Sequence, residues 1–313
     1  MVDKSRIIAA DAAGIAEAAA LLIAGGIVAV PTETVYGLAA RAADGEAVAR
    51  IYAAKGRPAF NPLIVHVVDA AQAAELVVVD AIAARLMEVF WPGPLTLVLP
   101  LRAGAGITAL VTAGLPTLAV RCPAHPVMAA LIARCGPLAA PSANASGRLS
   151  STTAAHVAMT LAGQVGLILD GGAAARGVES TIVAVDASGV RLLRPGAVPV
   201  EAVEALVGPV NIGGSDIIAA PGMLESHYAP VQPLRIKATF ARSDEFHIGF
   251  GGVVGDASLS PSGDLVEAAA RLFALLHRAE ASGKAGIAVA PVPEAGLGAA
   301  INDRLRRAAV SRE

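Results

Sequence analysis

Short clusters of hydroxyl, amide and basic side chains interrupt a sequence that is otherwise dominated by alanine, valine and leucine. One cluster is Pro31–Leu38, with the sequence PTETVYGL, which directly follows a predicted buried strand. Loops at strand ends carry ligands in open α/β sheets, but threonine hydroxyls also stabilise ordinary turns. A second cluster contains Lys55 and Arg57, which together would suit a polyphosphate or, alternatively, stabilise a helix C-terminus. For both clusters, the sequence is compatible with a binding site and also with a purely structural role.

The third cluster combines Arg121 with the segment 140–147, which has the sequence APSANASG. Arg121 ends a predicted strand among apolar residues, where an unpaired guanidinium group is costly. We therefore expect it to pair with a carboxylate, either from an acidic side chain or from a substrate. Ser142 and Asn144 precede a predicted helix, and hydroxyl, amide and backbone N–H groups near a helix start can hold an anion. An ordinary turn rich in serine and asparagine would show the same pattern.

The remaining clusters lie at strand edges and in a loop. Glu179–Thr181 and Arg194–Gly196 border two predicted strands, and Ser226–Pro230 has the sequence SHYAP. The aromatic ring of SHYAP would either anchor its loop or cover a ligand. The sequence shows no nucleophile–base–orienter triad, zinc-ligand spacing, Walker A motif or GxGxxG turn after a strand. These residue types favour positioning and charge stabilisation of a phosphate-bearing substrate, with little covalent chemistry by the protein.

The elements that must position these clusters alternate between strands and helices, which predicts an α/β sheet covered by helices. Asp11, Asp44 and Asp80 are the predicted N-caps of three of the helices. The glycine- and proline-rich stretch 208–233 is typical of an extended linker. We therefore predict a first unit over residues 1–207, a linker or lid over 208–233 and a smaller α/β unit over 234–313.

Composition and charge argue against several classes of protein. With 24 basic and 26 acidic residues the net charge is −2, and aromatic residues make up only 3%. Both values argue against a protein that coats nucleic acid through bulk charge and base stacking. The uncharged stretches 103–120 and 149–169 contain turn-forming or polar residues, which argues against membrane spans. Cys122 and Cys135 fit no disulfide framework and the N-terminus has no signal-peptide pattern, so we expect a reduced, cytoplasmic protein.

Five motifs in a fixed order resemble the Sua5/YrdC/YwlC family of threonylcarbamoyl-AMP synthases: VPTETVYGLA, KGRPAFNPLIVHV, APSANASG, ESTIV and LRPGA. The resemblance implies an open, twisted YrdC-like α/β sheet with a large cavity. The SHYAP motif and the second α/β unit are similar to the longer Sua5 type, which implies a small Rossmann-like C-terminal domain.

The same resemblance implies an activity. L-threonine, bicarbonate or CO2, and ATP with Mg²⁺ would be converted to L-threonylcarbamoyl-adenylate and pyrophosphate. Other proteins would then transfer the threonylcarbamoyl group to the adenosine next to the anticodon of a tRNA, giving N6-threonylcarbamoyladenosine.

The family roles carry over to the positions that match the motifs. Lys55 and Arg57 match the catalytic KxR pair. The implied ATP contacts are Arg57, Asn61, Thr117, Ser142, Asn144, Ser150, Arg194 and Tyr228. The implied threonine contacts are Thr34, His66, Arg121, Ala140 and Ser180, so the carboxylate that Arg121 needs would be that of threonine. The motifs imply no metal ligand, although Glu33 and Glu179 are carboxylates within them.

Besides a protein that only binds a small molecule, two other functions stay open at the level of the sequence. One is an RNA-binding module without catalysis, which the near-neutral charge and scarce aromatic residues disfavour. The other is a domain that handles carbamoyl-adenylate, although the zinc-finger and acylphosphatase-like segments that normally accompany such domains are not found. The C-terminal unit is short for the Sua5 type and carries no motif that we can match, so it would either support the linker or contact a partner.

Overall fold

The structure is a computed structural model and describes residues 5–212 and 228–310. Its strands are β1 (Arg6–Ala9), β2 (Val28–Val30), β3 (Gly37–Arg41), β4 (Ile64–His66), β5 (Leu95–Pro100), β6 (Thr117–Arg121), β7 (Leu138–Ala139), β8 (Leu167–Asp170), β9 (Thr181–Asp186), β10 (Gly189–Arg194), β11 (Val210–Asn211), β12 (Leu234–Arg235), β13 (Glu245–Gly249), β14 (Ala257–Ser258) and β15 (Gly286–Val289). Its helices are α1 (Ala12–Ile23), α2 (Gly45–Lys55), α3 (Ala70–Leu76), α4 (Ala81–Phe90), α5 (Ala109–Thr112), α6 (Pro126–Cys135), α7 (Ala154–Leu161), α8 (Val200–Val207), α9 (Leu265–Glu280) and α10 (Leu297–Ala309). In the part of the chain that the structure describes, no helix is long and apolar enough to cross a membrane.

The first eleven strands form one mixed sheet in the order β1-β8-β2-β3-β7-β4-β6-β5-β9-β10-β11. Strands β4 and β6 run parallel, with His66 opposite Arg121 at their ends. Strands β3 and β7 run antiparallel, with Ala40 opposite Ala139. Central strands such as β2 and β4 are buried throughout, as expected for a sheet with both faces covered. The predicted open α/β sheet is therefore confirmed.

The three predicted N-caps are also confirmed. Asp11, Asp44 and Asp80 immediately precede α1, α2 and α4, and each carboxylate accepts the main-chain N–H three residues later, at 2.9, 3.0 and 2.7 Å. These bonds satisfy N–H groups that have no partner within the helix. Helix α2 ends at Lys55 because Gly56 adopts a left-handed conformation with φ of 59°.

Strand β3 was not predicted, because glycine and alanine are poor strand formers. The sheet itself decides its conformation by pairing it between β2 and β7. Strand β3 brings the Pro31–Leu38 cluster against segment 140–147, with Gly37 bridging to Ser142. A Cβ atom at Gly37 would lie 3.2 Å from the Cβ of Ala140, so glycine permits this close approach.

The second unit is a four-stranded parallel sheet in the order β12-β15-β13-β14, packed with α9 and α10. This confirms the predicted small α/β unit, although β12 and β14 are too short to have been recognised. Its hydrophobic core is not separate from the first unit, because Val35, Leu149 and Val178 belong to the same cluster as Phe273 of α9. The second unit thus packs directly behind the Pro31–Leu38 and Glu179–Thr181 clusters.

The predicted linker of residues 208–233 is described only in part. Val210–Asn211 pairs in parallel with β10, so the first sheet includes residues beyond 207. Residues 213–227, and with them Ser226 and His227 of the SHYAP motif, lie outside the described residues. The chain is described again from Tyr228, and Ala229 donates its N–H to the carbonyl oxygen of Gly147 at 2.9 Å. The exact limits of the three segments stay a prediction.

Candidate active site

A cavity lies where the loops after β2 and β7 meet the ends of β4, β6 and β10. Its walls are lined by Thr32, Thr34, Val35, Tyr36, Gly37, Arg57, Ile64, His66, Arg121, Ala140, Pro141, Ser142, Glu179, Ser180, Arg194 and Tyr228. These residues come from all five motif clusters, which are far apart in sequence. The fold therefore gathers the clusters around one space.

Nine of the fourteen predicted site residues are among the described residues that line this cavity. They are Thr34, Arg57, His66, Arg121, Ala140, Ser142, Ser180, Arg194 and Tyr228. Lys55, Asn61, Asn144 and Ser150 are buried behind these residues. Thr117 starts β6, whereas Arg121 ends it, so these two predicted contacts lie at opposite ends of one strand.

Arg121 occupies one end of the cavity. Its Nη2 donates to Oε1 of Glu33 at 2.6 Å, its Nη1 to the hydroxyl of Thr34 at 3.0 Å, and its Nε to the carbonyl oxygen of Gly93 at 3.2 Å. Burial raises the pKa of Glu33, but the charge and hydrogen bond of Arg121 outweigh this and leave it below its usual value. The carboxylate that Arg121 was predicted to need is therefore supplied, in this structure, by Glu33.

His66 lies beside Arg121 and is uncharged at neutral pH. Burial and then the charge of Arg121 lower the pKa of His66 to about 3. Its Nδ1 atom is buried and has no hydrogen-bond partner among the described residues. A buried polar atom of this kind, on the wall of a cavity, is available to a ligand.

The threonines of the Pro31–Leu38 cluster form a turn as well as a wall of the cavity. The hydroxyl of Thr32 accepts the N–H groups of Thr34 and Val35 at 3.2 and 3.3 Å and donates to the carbonyl oxygen of Val35 at 2.6 Å. This bonding holds the hydroxyl of Thr34 toward Arg121. The two interpretations of this cluster, turn and site, are therefore compatible.

Lys55 connects the end of α2 to the loop after β7. Its buried Nζ donates to the carbonyl oxygens of Ser142 and Asn144. Burial, and then the charge of Arg57, hold the pKa of Lys55 well below its usual value. The amide of Asn144 donates to the carbonyl oxygens of Ala145 and Arg148 at 3.0 and 2.9 Å. In this structure Lys55 and Asn144 thus shape the loop that presents Ser142 to the cavity.

Arg57 itself reaches the cavity. Its Nη2 donates to Oδ1 of Asn61 at 2.6 Å and to the carbonyl oxygen of Pro62 at 3.0 Å. Burial lowers its pKa to about 10, so the guanidinium is still charged at neutral pH. Asn61 therefore orients Arg57, and Arg57 supplies a positive charge to the wall.

Another wall of the cavity is formed by Glu179, Ser180, Arg194 and Tyr228. Nη2 of Arg194 donates to the carbonyl oxygen and the hydroxyl of Ser180 at 2.9 and 3.1 Å. Ser150 donates its hydroxyl to Oε1 of Glu179 at 2.5 Å. Burial raises the pKa of Glu179, but Arg304 and Arg194 outweigh burial and keep the carboxyl ionised.

Comparisons with known proteins agree with this geometry. The Sua5/YciO/YrdC family model, described as "Telomere recombination", matches residues 20–196. A second model, "Threonylcarbamoyl-AMP synthase, C-terminal domain", matches residues 198–310. The chain belongs to the Sua5 family. The second match covers the C-terminal unit for which the sequence offered no recognisable motif.

Relatives of the family are similar over most of the chain. Threonylcarbamoyl-AMP synthase of Bacillus subtilis is 50% identical over 229 residues, which are 71% of this chain and 66% of the relative. The enzyme of the same name from Pyrococcus abyssi is 42% identical over 93% of this chain and 92% of its own. The crystal structure of P. abyssi Sua5 complexed with L-threonine covers 98% of this chain and 97% of its own, with 38% identity and a TM-score of 0.88. The Sua5 fold is thus shared from one end of the chain to the other.

Two residues of this Sua5 site were not among the fourteen predicted site residues, although Tyr36 belongs to the Pro31–Leu38 cluster. Tyr36 lines the cavity and donates its hydroxyl to the carbonyl oxygen of Gly172 at 2.7 Å. Arg304 of α10 reaches Glu179 from the C-terminal unit. No local pattern distinguishes Arg304 from Arg306 and Arg307 beside it, because only the packing of two distant segments buries it. The described residues contain no group of three or more metal-binding side chains.

Proposed function

We propose that the chain is a threonylcarbamoyl-AMP synthase that uses L-threonine, bicarbonate or CO2, and ATP, and releases pyrophosphate. The observation that carries this proposal is a single cavity with a fork of Arg121 at one end and the cations Arg57 and Arg194 on its other walls. An amino-acid carboxylate and a triphosphate both require such cations. The similarity to P. abyssi Sua5, whose crystal structure holds L-threonine, supports the proposal over nearly the whole chain.

Threonine would bind at the Arg121 end. Arg121 pairs with its carboxylate, and Thr34, Ser180 and neutral His66 surround its polar groups. His66 presents Nδ1 without a protein partner, which suits a hydroxyl or amine of the substrate. Ala140 leaves space because its side chain is a single methyl group. The fork of Arg121 orients the amine for carbamate formation.

ATP would bind toward Arg57, Ser142 and Arg194. The attacking carbamate and the triphosphate are both anionic, so cations must offset their repulsion. A carbamate oxygen bonds to the α-phosphorus while the bond from that phosphorus to the β-phosphate oxygen breaks, and pyrophosphate leaves. Tyr228, buried against the cavity, helps to exclude the water in which a carbamate would lose CO2.

Mg²⁺ would arrive with ATP. Oε2 of Glu33 is a buried carboxylate oxygen without a partner, and oxygen is the donor that Mg²⁺ prefers. Glu33 therefore fits as a protein contact for the metal, with phosphate oxygens and water as further ligands. The metal would neutralise charge on the triphosphate.

The product would be consumed elsewhere in the cytoplasm. We propose that the synthase catalyses the first step of N6-threonylcarbamoyladenosine formation, and that separate proteins then transfer the threonylcarbamoyl group of its product to tRNA. Two free, buried cysteines are consistent with a reducing compartment.

The decisive experiment measures pyrophosphate release from ATP and Mg²⁺, with threonine and bicarbonate each added or omitted. Release that requires both, and that falls when serine replaces threonine, is the expected result. Release without either substrate, or no release at all, would contradict the proposal. Titration of tRNA across salt concentrations would then test the RNA-binding alternative.

Arg57→Ala tests the role of the cationic wall. Turnover should fall by about a hundredfold or more, since a buried charge facing the triphosphate is lost. Lys55→Ala should also reduce turnover, through the loop that Lys55 holds at Ser142 and Asn144. Circular dichroism would verify that both variants are folded, and normal turnover in both would refute these roles.

A further inference from the structure

The C-terminal unit places a charged side chain directly behind the cavity. Arg304, in α10, is completely buried although it lies far from the cavity residues in sequence. Its Nε donates to Oε2 of Glu179 at 2.6 Å, and its Nη1 donates to Oδ2 of Asp303 at 2.6 Å. Its guanidinium carbon lies 5.0 Å from the centre of the Tyr228 ring, within the range of a cation–π contact. Glu179 and Tyr228 both line the cavity.

Arg304 determines the charge of that wall. Glu179 is an acid facing a space that would hold a triphosphate, and an unpaired carboxylate there would repel the substrate. With Ser150 on Oε1 and Arg304 on Oε2, both carboxylate oxygens of Glu179 are occupied. Arg304 therefore offsets the negative charge of Glu179, so that this carboxylate repels a bound triphosphate less.

Several contacts hold the C-terminal unit in the required place. Gly177, with φ of 68°, packs against the backbone of α9, where a Cβ atom would come within 2.3 Å of the carbonyl oxygen of Ala269. His277 of α9 stacks on His156 with ring centroids 4.0 Å apart. Arg148 pairs with Glu280 at the end of α9. These contacts hold α9 against the first unit, and α10 packs on α9.

We propose that Arg304 is a positioning residue for the nucleotide end of the cavity, supplied by the C-terminal unit. It aligns and neutralises Glu179 and supports the ring of Tyr228. The inference rests on the proposed function, because it assigns the wall to ATP. The C-terminal unit is then a part of the active site, and this answers what that unit does.

The principal test is Arg304→Gln, assayed by pyrophosphate release with ATP and threonine varied separately. The KM for ATP should rise about tenfold or more, because a buried charge-assisted hydrogen bond is lost and the charge of Glu179 is then offset only by Arg194 and the hydroxyl of Ser150. The KM for threonine should change less than twofold. Arg306→Gln is the matched control on the same helix, since Arg306 is half exposed and, among the residues that the structure describes, forms an ion pair only with the exposed Glu294.

A second variant separates charge neutralisation from general support of the fold. Glu179→Gln combined with Arg304→Gln removes both charges, so the KM for ATP should return to within about threefold of wild type. The double variant also covers the case in which Arg304→Gln alone does not fold, because it leaves no unpaired carboxylate at position 179 and Asp303 keeps Arg307 as a partner. Calorimetric titration with ATP alone would compare the Kd for ATP of wild type, the single variant and the double variant without catalysis.

The pH profile provides a signature that a purely structural role would not produce. The groups that face Glu179 are Ser150, Arg194, Arg304 and Tyr228, and Arg304 is the strongest of those that lower its pKa. In Arg304→Gln, burial still raises the pKa of Glu179, so the carboxyl takes up a proton more readily. The defect in ATP affinity should therefore shrink between pH 8 and pH 6, while wild type shows no such change.

Two results would overturn the inference. One is an unchanged KM and Kd for ATP in folded Arg304→Gln, with only the unfolding temperature lowered. The other is a double variant that binds ATP no better than Arg304→Gln, or, if that single variant does not fold, that binds it more than tenfold more weakly than wild type. Wild-type protein that releases no pyrophosphate in the presence of threonine and bicarbonate would instead contradict the proposed function itself.

Discussion

Two buried arginine–glutamate pairs border the same cavity, and they differ in how completely the acid is enclosed. At the Arg121 end, Glu33 is 12% exposed and its Oε2 has no partner. At the other end, Arg304 is completely buried and both oxygens of Glu179 accept hydrogen bonds. Both members of the first pair come from the first unit, whereas the second pair joins the two units.

The difference indicates two functions for one kind of ion pair. A partly exposed pair with spare hydrogen-bonding capacity can exchange its carboxylate for that of a substrate. A fully buried pair, in which both oxygens of the acid accept hydrogen bonds, is costly to open, because breaking it leaves a buried charge. The first pair therefore suits a binding position, and the second suits a permanent wall.

Removal of Arg121 should have the largest effect. Arg121→Ala is expected to reduce threonine-dependent pyrophosphate release by about a hundredfold or more, because the fork proposed to hold the carboxylate is lost. The free energy of unfolding should fall by about 3 kcal/mol, since Glu33 stays buried without its partner. Steady-state kinetics and urea unfolding would measure the two effects. Unchanged threonine kinetics would show that Arg121 belongs to a fixed pair, like Arg304.

Acid should weaken the Arg304 pair more than the Arg121 pair, because only the Arg304 pair depends on the contacts between the two units. Burial, and then the neighbouring His277, lower the pKa of His156 to about 4, and burial also lowers the pKa of His277. Both rings are thus neutral when folded, while unfolded histidine takes up a proton near pH 6.5. The stabilisation is complete above pH 6.5 and is lost as the pH falls toward 4.

Thermal unfolding between pH 7.5 and pH 4.5 would measure this loss. We expect on the order of 1–2 kcal/mol, after allowance for solvent screening of the half-buried His156. His277→Gln keeps a donor for the carbonyl oxygen of Ser150 but cannot titrate, so it should show a flatter profile. An equally steep profile in this variant would mean that another buried group, such as His66 with its pKa lowered to about 3, causes the acid sensitivity.

Substitution of the two acids would sharpen the comparison. Glu33→Gln should lower the KM for threonine about threefold at saturating Mg²⁺, because a neutral amide competes less well for Arg121. Glu179→Gln should leave the KM for threonine unchanged, since its partner is not a substrate contact. A rise in the threonine KM of Glu33→Gln would show that Glu33 orients Arg121 rather than competing for it.

The smallest effect is expected at an exposed pair. Arg6 and Glu17 lie 2.8 Å apart on the surface, with side chains 64% and 46% exposed. Arg6→Ala should change the free energy of unfolding by less than about 0.5 kcal/mol, because solvent screens the pair. A larger loss of unfolding free energy would mean that burial does not explain why the ion pairs at the cavity contribute more than the exposed Arg6–Glu17 pair.

Much of the architecture could be predicted because it depends on local chemistry. Asp11, Asp44 and Asp80 cap their helices through bonds that span three residues, so a short sequence window contains all the participants. Strand β3 could not be predicted, because its glycine and alanines have little strand preference of their own. Only the neighbouring strands β2 and β7 hold it extended.

The candidate site shows the same division. The motif around Arg121 required a carboxylate, and this much followed from the cost of burying a lone charge. Which carboxylate it contacts, Glu33, depends on how the loop after β2 returns to β6. The roles of the fourteen predicted site residues in binding ATP and threonine stay predictions until the variants are measured.

By itself, the sequence determined the helix starts, the alternation of strands and helices, and the types of side chain available for chemistry. Each of these depends on residues a few positions apart. Only the tertiary structure decided that five separated clusters share one cavity, and that Arg304 completes the wall behind Glu179. The physical reason is that desolvation and ion pairing depend on distance in space, and α10 meets Glu179 only after the two units pack together.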